Sequence, residues 1–293
     1  MRFRTATPAA IVHTTGPRKP DHAAGGLIQT PCRSFHATTD GIMNKIPEPT
    51  PEIEEQVRPE AVAARVREVR ERIAQACERA GRAREPTIVG ISKTFPMQAI
   101  ESGRAAGLEH FGENRARQLR DKARARPGAF KGGDLSWHMV GHLQTNKAKF
   151  VARHADWFDA LDSLRLADEL DERAAKNNRV LPCLVQVNIT GQEKKYGLDP
   201  DATHDFLDRC AGYEHLAVKG LMALGSFVDD PEDVRGEFRR MRTLFEGYDD
   251  AGNPCVEMDE LSIGMSNDFE VAIEEGSTMV RIGSAIFGPR DYD

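Results

Sequence analysis

The chain has 293 residues and sets 40 Lys and Arg against 46 Asp and Glu, a net charge of -6. That balance argues against a protein that binds by neutralising nucleic-acid phosphates, and no run approaches the roughly 18 consecutive apolar residues of a membrane span. Five scattered cysteines without a C-x-x-C pair fit neither a disulfide framework nor a zinc site, so a soluble protein of a reducing compartment, the cytoplasm, is expected.

Residues 1–55 are rich in Thr, Pro, Ala, Gly and His, lack sustained periodicity and end in the Pro-dense stretch from Pro47 to Pro51, so a disordered extension is expected there. Arg2, Arg4, Arg18 and Arg33, against only Asp21 and Asp40 before Met43, give this segment some likeness to a transit peptide. A true start at Met43 is the alternative. Residues 56–293 read as one domain. It opens with a helix whose apolar positions Val62, Val66, Val69, Ile73, Cys77 and Ala80 recur at three- and four-residue steps until Gly81 stops it.

From there short apolar runs alternate with helix-period segments, the pattern of repeated βα units. The runs are 87–92, 108–112, 136–141, 157–161, 181–189, 217–224, 260–265 and 278–287, with helical stretches such as 96–106, 164–176, 199–211, 232–247 and 267–275 between them. Eight runs fit a single (β/α)8 TIM barrel with an extra N-terminal helix. No G-x-G-x-x-G follows the first run, which counts against a dinucleotide fold.

In such a barrel the chemistry sits where strands end. Lys93 follows the apolar run Thr87–Ile91, so its amine approaches the barrel interior, where desolvation favours the neutral nucleophile suited to a Schiff base. A strand-end lysine that simply reaches water is the plainer reading. Ser266, Gly283 and Ser284 fall where barrels commonly bind phosphate, although ordinary turn chemistry also uses these residues. Arg281 shares a strand face with Gly283 and could contact a phosphate or a ring nitrogen, or else neutralise a core carboxylate such as Glu270 or Asp268. The segment Trp137–Lys147 is expected to line the pocket. His138 and His142 are not read as a metal pair, because an i, i+4 spacing helps only on a helix. Lys194-Lys195-Tyr196-Gly197 reads as a mobile loop over the mouth.

Taken together, IVGISKTFP (88–96), HFGENR (110–115), WHMVGHLQTNK (137–147), VQVNI (185–189), KKYG (194–197), GLMAL (220–224), LSIGMSND (261–268) and GSTMVRIGSAIFG (276–288) resemble the pyridoxal phosphate homeostasis proteins, single-barrel relatives of the alanine racemase N-terminal domain. The resemblance spans nearly all of 57–293. It implies pyridoxal 5'-phosphate (PLP) as cofactor, with Lys93 forming the internal aldimine, Arg281 facing the pyridine nitrogen, Ser266, Gly283 and Ser284 holding the phosphate, and Asn114 near the cofactor. Ser284 stands where the family often has Thr. An Arg at the pyridine nitrogen makes the ring a poorer electron sink, so a PLP carrier or buffer is expected, serving PLP-dependent apoenzymes as a monomer or weak dimer. A racemase-like PLP enzyme and a Schiff-base aldolase are the alternatives.

Overall fold

The computed structural model describes residues 46–125, 135–192 and 195–289. The expected extension therefore lies outside the described residues up to position 45. Within its remainder Pro51–Gln56 forms a helix, α1, which Thr50 opens by accepting a hydrogen bond on its side chain from Ile53 N–H. Helix α2, Pro59–Arg79, buries Val62, Val66, Val69, Ile73, Ala76 and Cys77. Ala80 lies beyond the last turn, at the C-cap, so Ala76 takes the buried place expected of it.

Eight parallel strands then close into a barrel: β1 (Thr87–Ile91), β2 (His110–Glu113), β3 (Ser136–Met139), β4 (Trp157–Leu161), β5 (Leu181–Val187), β6 (Leu216–Ala223), β7 (Val256–Met265) and β8 (Met279–Ile282). Between and after them lie α3 (Met97–Ala105), α4 (Ala116–Ala125), α5 (Ala148–His154), α6 (Leu164–Ala175), α7 (Thr203–Arg209), α8 (Arg235–Glu246), α9 (Phe269–Glu274) and α10 (Ser284–Phe287). The expected (β/α)8 barrel forms, preceded by two helices, α1 and α2, where one was expected. Among the described residues no helix is long and apolar enough to cross a membrane.

Two strand boundaries differ most from expectation, each for a local reason. The run 278–287 is only half strand: Gly283 leaves the extended region at φ -112°, ψ -80°, and Phe287 N–H donates to Gly283 O at 2.8 Å, winding the rest into α10. Strand β7 starts at Val256 instead of 260, because exposed Glu257 and Asp259 alternate with inward residues and hide the strand in polar composition. A register shift between β6 and β7 falls at Gly220, whose φ is +140° and where a Cβ would come within 1.9 Å of Glu260 O. Only glycine permits that approach.

The N-terminal helices brace the far end of the chain. Arg65 donates to Ile286 O and to Gln56 O, each at 2.7 Å, while the Gln56 amide donates to Phe287 O at 2.8 Å. Phe287 is fully buried, with its ring 5.6 Å from that of Phe95. The four cysteines among the described residues, Cys77, Cys183, Cys210 and Cys255, are buried thiols. Burial raises the pKa of each, to about 12 for Cys210 and well above its ordinary value for Cys183.

Toward its N-terminal end the barrel carries a polar chain. His110 Nδ1 lies 3.0 Å from His138 Nε2, and His138 Nδ1 lies 2.9 Å from Asp159 Oδ2, with Trp157 stacked on the His138 ring. Burial, followed by the charge of His138, pushes the pKa of His110 down to about 4 against an ordinary value of 6.5. An unfolded chain therefore binds more protons than the folded one between those values. The stability contributed by neutral His110 is present above the unfolded pKa and is lost as pH falls through this window.

Two outcomes follow for urea unfolding. Phe287→Ala should cost about 3–5 kcal/mol by opening a cavity under α10. The loss of stability between neutral and mildly acid pH should be shallower in His110→Asn, with His154, shifted the same way by burial and neighbouring arginines, retaining part of the slope.

Candidate functional site

Parallel pairing of β1 with β8 sets Val89 opposite Arg281 and Gly90 opposite Ile282, so the loop after β1 opens beside the loop after β8. Between them, at the C-terminal mouth, lies a cavity of about 300 Å³ whose lining includes Lys93, Ser266, Arg281, Gly283 and Ser284. Five of the six expected site residues thus meet in one space. Asn114 is not among those lining it: β2 ends at Glu113, and Asn114 lies exposed on the rim, its backbone against Gly141. A larger groove of about 520 Å³ runs outside the barrel between α2 and α3, lined by Ala63, Arg67, Arg70 and Ala105 among others. It is remote from the strand ends and carries no nucleophile.

Lys93 is half-buried, and among the described residues none hydrogen-bonds or pairs with its side-chain amine. Its backbone lies in a tight turn closed by Phe95 N–H donating to Ser92 O at 3.1 Å. Opposite it, Ser266 Oγ accepts hydrogen bonds from Gly283 N–H at 3.1 Å and Ala285 N–H at 3.3 Å. Two backbone donors therefore converge on the Ser266 hydroxyl, which lines the cavity together with Gly283. The Ser284 side chain is exposed at the same turn.

Arg281 is 4% exposed and fixed at its tip: Nη1 donates to Ser262 O at 2.8 Å and to Ser262 Oγ at 2.6 Å, and Nη2 to Ala223 O at 2.7 Å. These bonds use three of its five N–H groups. Burial lowers its pKa to about 10, opposed by the charges of Asp159 and Asp268, so it remains a cation at neutral pH. Asp268 Oδ1 itself accepts from Met265 N–H at 2.6 Å, and burial holds its carboxyl above the ordinary range. Glu270, the other carboxylate considered for Arg281, pairs with Arg72 at 2.8 Å instead.

The segment Trp137–Lys147 does not line this cavity as expected. Strand alternation turns Trp137 outward against Phe111 and His138 inward toward Asp159, while His142 pairs with Asp162 at 3.1 Å and stacks on Tyr196 at 3.8 Å. The two imidazoles thus take separate partners. Of the expected mouth loop, Lys194 lies outside the described residues, Lys195 Nζ reaches Gly225 O at 3.4 Å and Tyr196 is 58% exposed. Sequence reading missed Phe227, 95% exposed on the cavity rim, and Ser226, whose hydroxyl donates to Glu237 at 2.6 Å. It also missed Lys122 and Glu113, which are buried beside the Lys93 turn. Ala116, Leu119, Lys122 and Ala123 share the helix face spacing that marks a core, and that signal could have singled out Lys122.

A closed parallel barrel whose C-terminal mouth is lined by Lys93 and by the turn after its last strand defines the class of protein. Residues 60–291 match the family model of the alanine racemase N-terminal domain. The chain is 42% identical over 229 residues to the pyridoxal phosphate homeostasis protein of Aquifex aeolicus, covering 78% of this chain and 98% of that one. It is 38% identical to the protein of the same name from Escherichia coli K12, covering 79% and 97%. Among solved structures, PipY of Synechococcus elongatus PCC7942 with PLP bound matches at 30% identity and a TM-score of 0.67, over 78% of this chain and all of that one. Alanine racemase from Corynebacterium glutamicum shares the fold at 20% identity and a TM-score of 0.54, with 60% of its chain covered. The chain belongs to the pyridoxal phosphate homeostasis proteins, within the family of the alanine racemase N-terminal domain.

Proposed function

We propose that this protein binds pyridoxal 5'-phosphate covalently through Lys93 and carries or buffers it without turning over a substrate. The observation that carries the reading is that an amine-bearing side chain, Lys93, and a cluster of hydroxyl and backbone groups, Ser266, Gly283 and Ser284, line the same cavity of about 300 Å³. An aldehyde bearing a phosphate needs those two groups at opposite sides of one small space. The Lys93 nitrogen replaces the aldehyde oxygen, which leaves as water. Ser266, Gly283 and Ser284 hold the phosphate, and Asn114 closes the rim.

When bound, this cofactor supplies an electron sink, and its strength depends on what faces the ring nitrogen. The reading puts Arg281 there. A guanidinium fixed by Ser262 and Ala223, cationic at neutral pH, does not favour a protonated ring and so does not strengthen the sink. The names of the relatives and the PLP-bound PipY structure support the same ligand. The reading further takes the protein to be cytoplasmic, a monomer or weak dimer, with PLP-dependent apoenzymes as recipients of the cofactor.

Purified protein mixed with PLP should acquire visible absorbance that borohydride bleaches, and Lys93→Ala should abolish it. Ser266→Ala should weaken binding about tenfold, the loss expected for one hydrogen bond to a charged group. Steady-state assays with D- and L-amino acids should show no turnover approaching about 1 per second. Turnover at that rate would establish a racemase-like enzyme instead, and an apoenzyme activated no faster by the loaded protein than by free PLP would count against the carrier role.

A further inference from the structure

The turn that carries Lys93 is held in a conformation its own sequence disfavours. Lys93 and Thr94 occupy its two central positions, and Thr94 has φ +69°. A positive φ at the third turn position suits glycine or asparagine, and a β-branched threonine is strained there. The Thr94 hydroxyl donates to Lys93 O, a bond within the turn that ties it to nothing outside.

The anchor comes from α4. Lys122 Nζ donates to Ser92 O at 2.8 Å and to Glu113 Oε1 at 2.6 Å, and the Ser92 hydroxyl donates to the same carboxylate oxygen at 2.6 Å. Ser92, Glu113 and Lys122 are all fully buried. The turn's first carbonyl thus takes one donor from within the turn and a second, charged one from a neighbouring helix. Phe95, at the turn's far end, is 2% exposed against Phe287. Glu113 Oε2 is buried with no hydrogen-bond partner among the described residues. An apolar pair of similar volume would commonly stabilise such a wall as well or better, so the ion pair is not accounted for by stability alone. What it adds is a fixed point on the Ser92 carbonyl, one residue before the amine.

We propose that Lys122 and Glu113 are positioning residues: their buried pair pins Ser92, keeps Thr94 left-handed and thereby aims the Lys93 amine into the cavity. The inference rests on the reading of Lys93 as the cofactor-binding amine. Neither residue touches the cavity, so each acts through the turn.

The test uses the full chain titrated with PLP, with visible absorbance before and after borohydride, far-UV circular dichroism and thermal melting recorded for each variant. Lys122→Met combined with Glu113→Gln removes both charges and leaves no lone buried ion. It should keep the fold and bind PLP about tenfold more weakly, and adding Thr94→Gly should recover most of the loss, since glycine adopts the left-handed conformation without an anchor. A purely structural role would not be repaired by a change inside the turn. Should the double variant not fold, Ser92→Ala, which removes one hydrogen bond and no charge, decides: binding about threefold weaker supports the proposal, and unchanged binding overturns it. In a folded double variant, wild-type affinity or no recovery with Thr94→Gly overturns it. Failure of the wild-type chain to take up PLP on Lys93 overturns the underlying reading instead.

Discussion

Pairing of the first strand with the last is the constraint on which the site depends. Lys93 and Gly283 are nearly two hundred positions apart in the chain, and only the parallel β1–β8 ladder, with Val89 opposite Arg281, brings them to one mouth. Opening that ladder would leave an amine on one edge and two backbone donors on another, with nothing to bind between them. The bracing of α10 by Arg65 and Gln56 serves the same junction from outside: it fixes the carbonyl end of the short helix whose first turn presents Gly283 and Ala285.

The charges inside the wall are arranged to be held still. Arg281 is desolvated, and its tip is locked by a serine and a backbone carbonyl instead of a carboxylate in contact with it, while Asp159 and Asp268 compensate from a distance. Such a cation keeps its direction without being neutralised by an adjacent anion. On the outer side of the same wall, Lys122 and Glu113 form a contact pair. Both charges are thus held by the backbone: Arg281 on the Ser262 and Ala223 carbonyls, Lys122 on that of Ser92.

The fold was legible because short apolar runs and helix-period segments alternate eight times, and because strand ends in this architecture carry the chemistry. Lys93, Ser266, Arg281, Gly283 and Ser284 could be read for that reason. Asn114 could not be placed, since whether a residue just past a strand faces the cavity or the rim depends on where the strand stops, a boundary set by pairing and not by composition. Trp137 was misplaced because its facing is fixed by alternation relative to Phe111, a tertiary contact. The start of β7 was hidden by exposed acids. The Glu113–Lys122 pair was invisible because neither residue type announces burial, although the helix face of Lys122 did.

Sulfur offers a last contrast with nitrogen. Every described thiol is sequestered behind strands or helices and kept protonated by its surroundings, so none presents a thiolate at the barrel mouth. A reactive carbonyl entering there finds an accessible amine and no competing sulfur nucleophile among these four. Under the proposed reading, capture by nitrogen is readily undone by water, a reversibility that would suit a protein handing its ligand on.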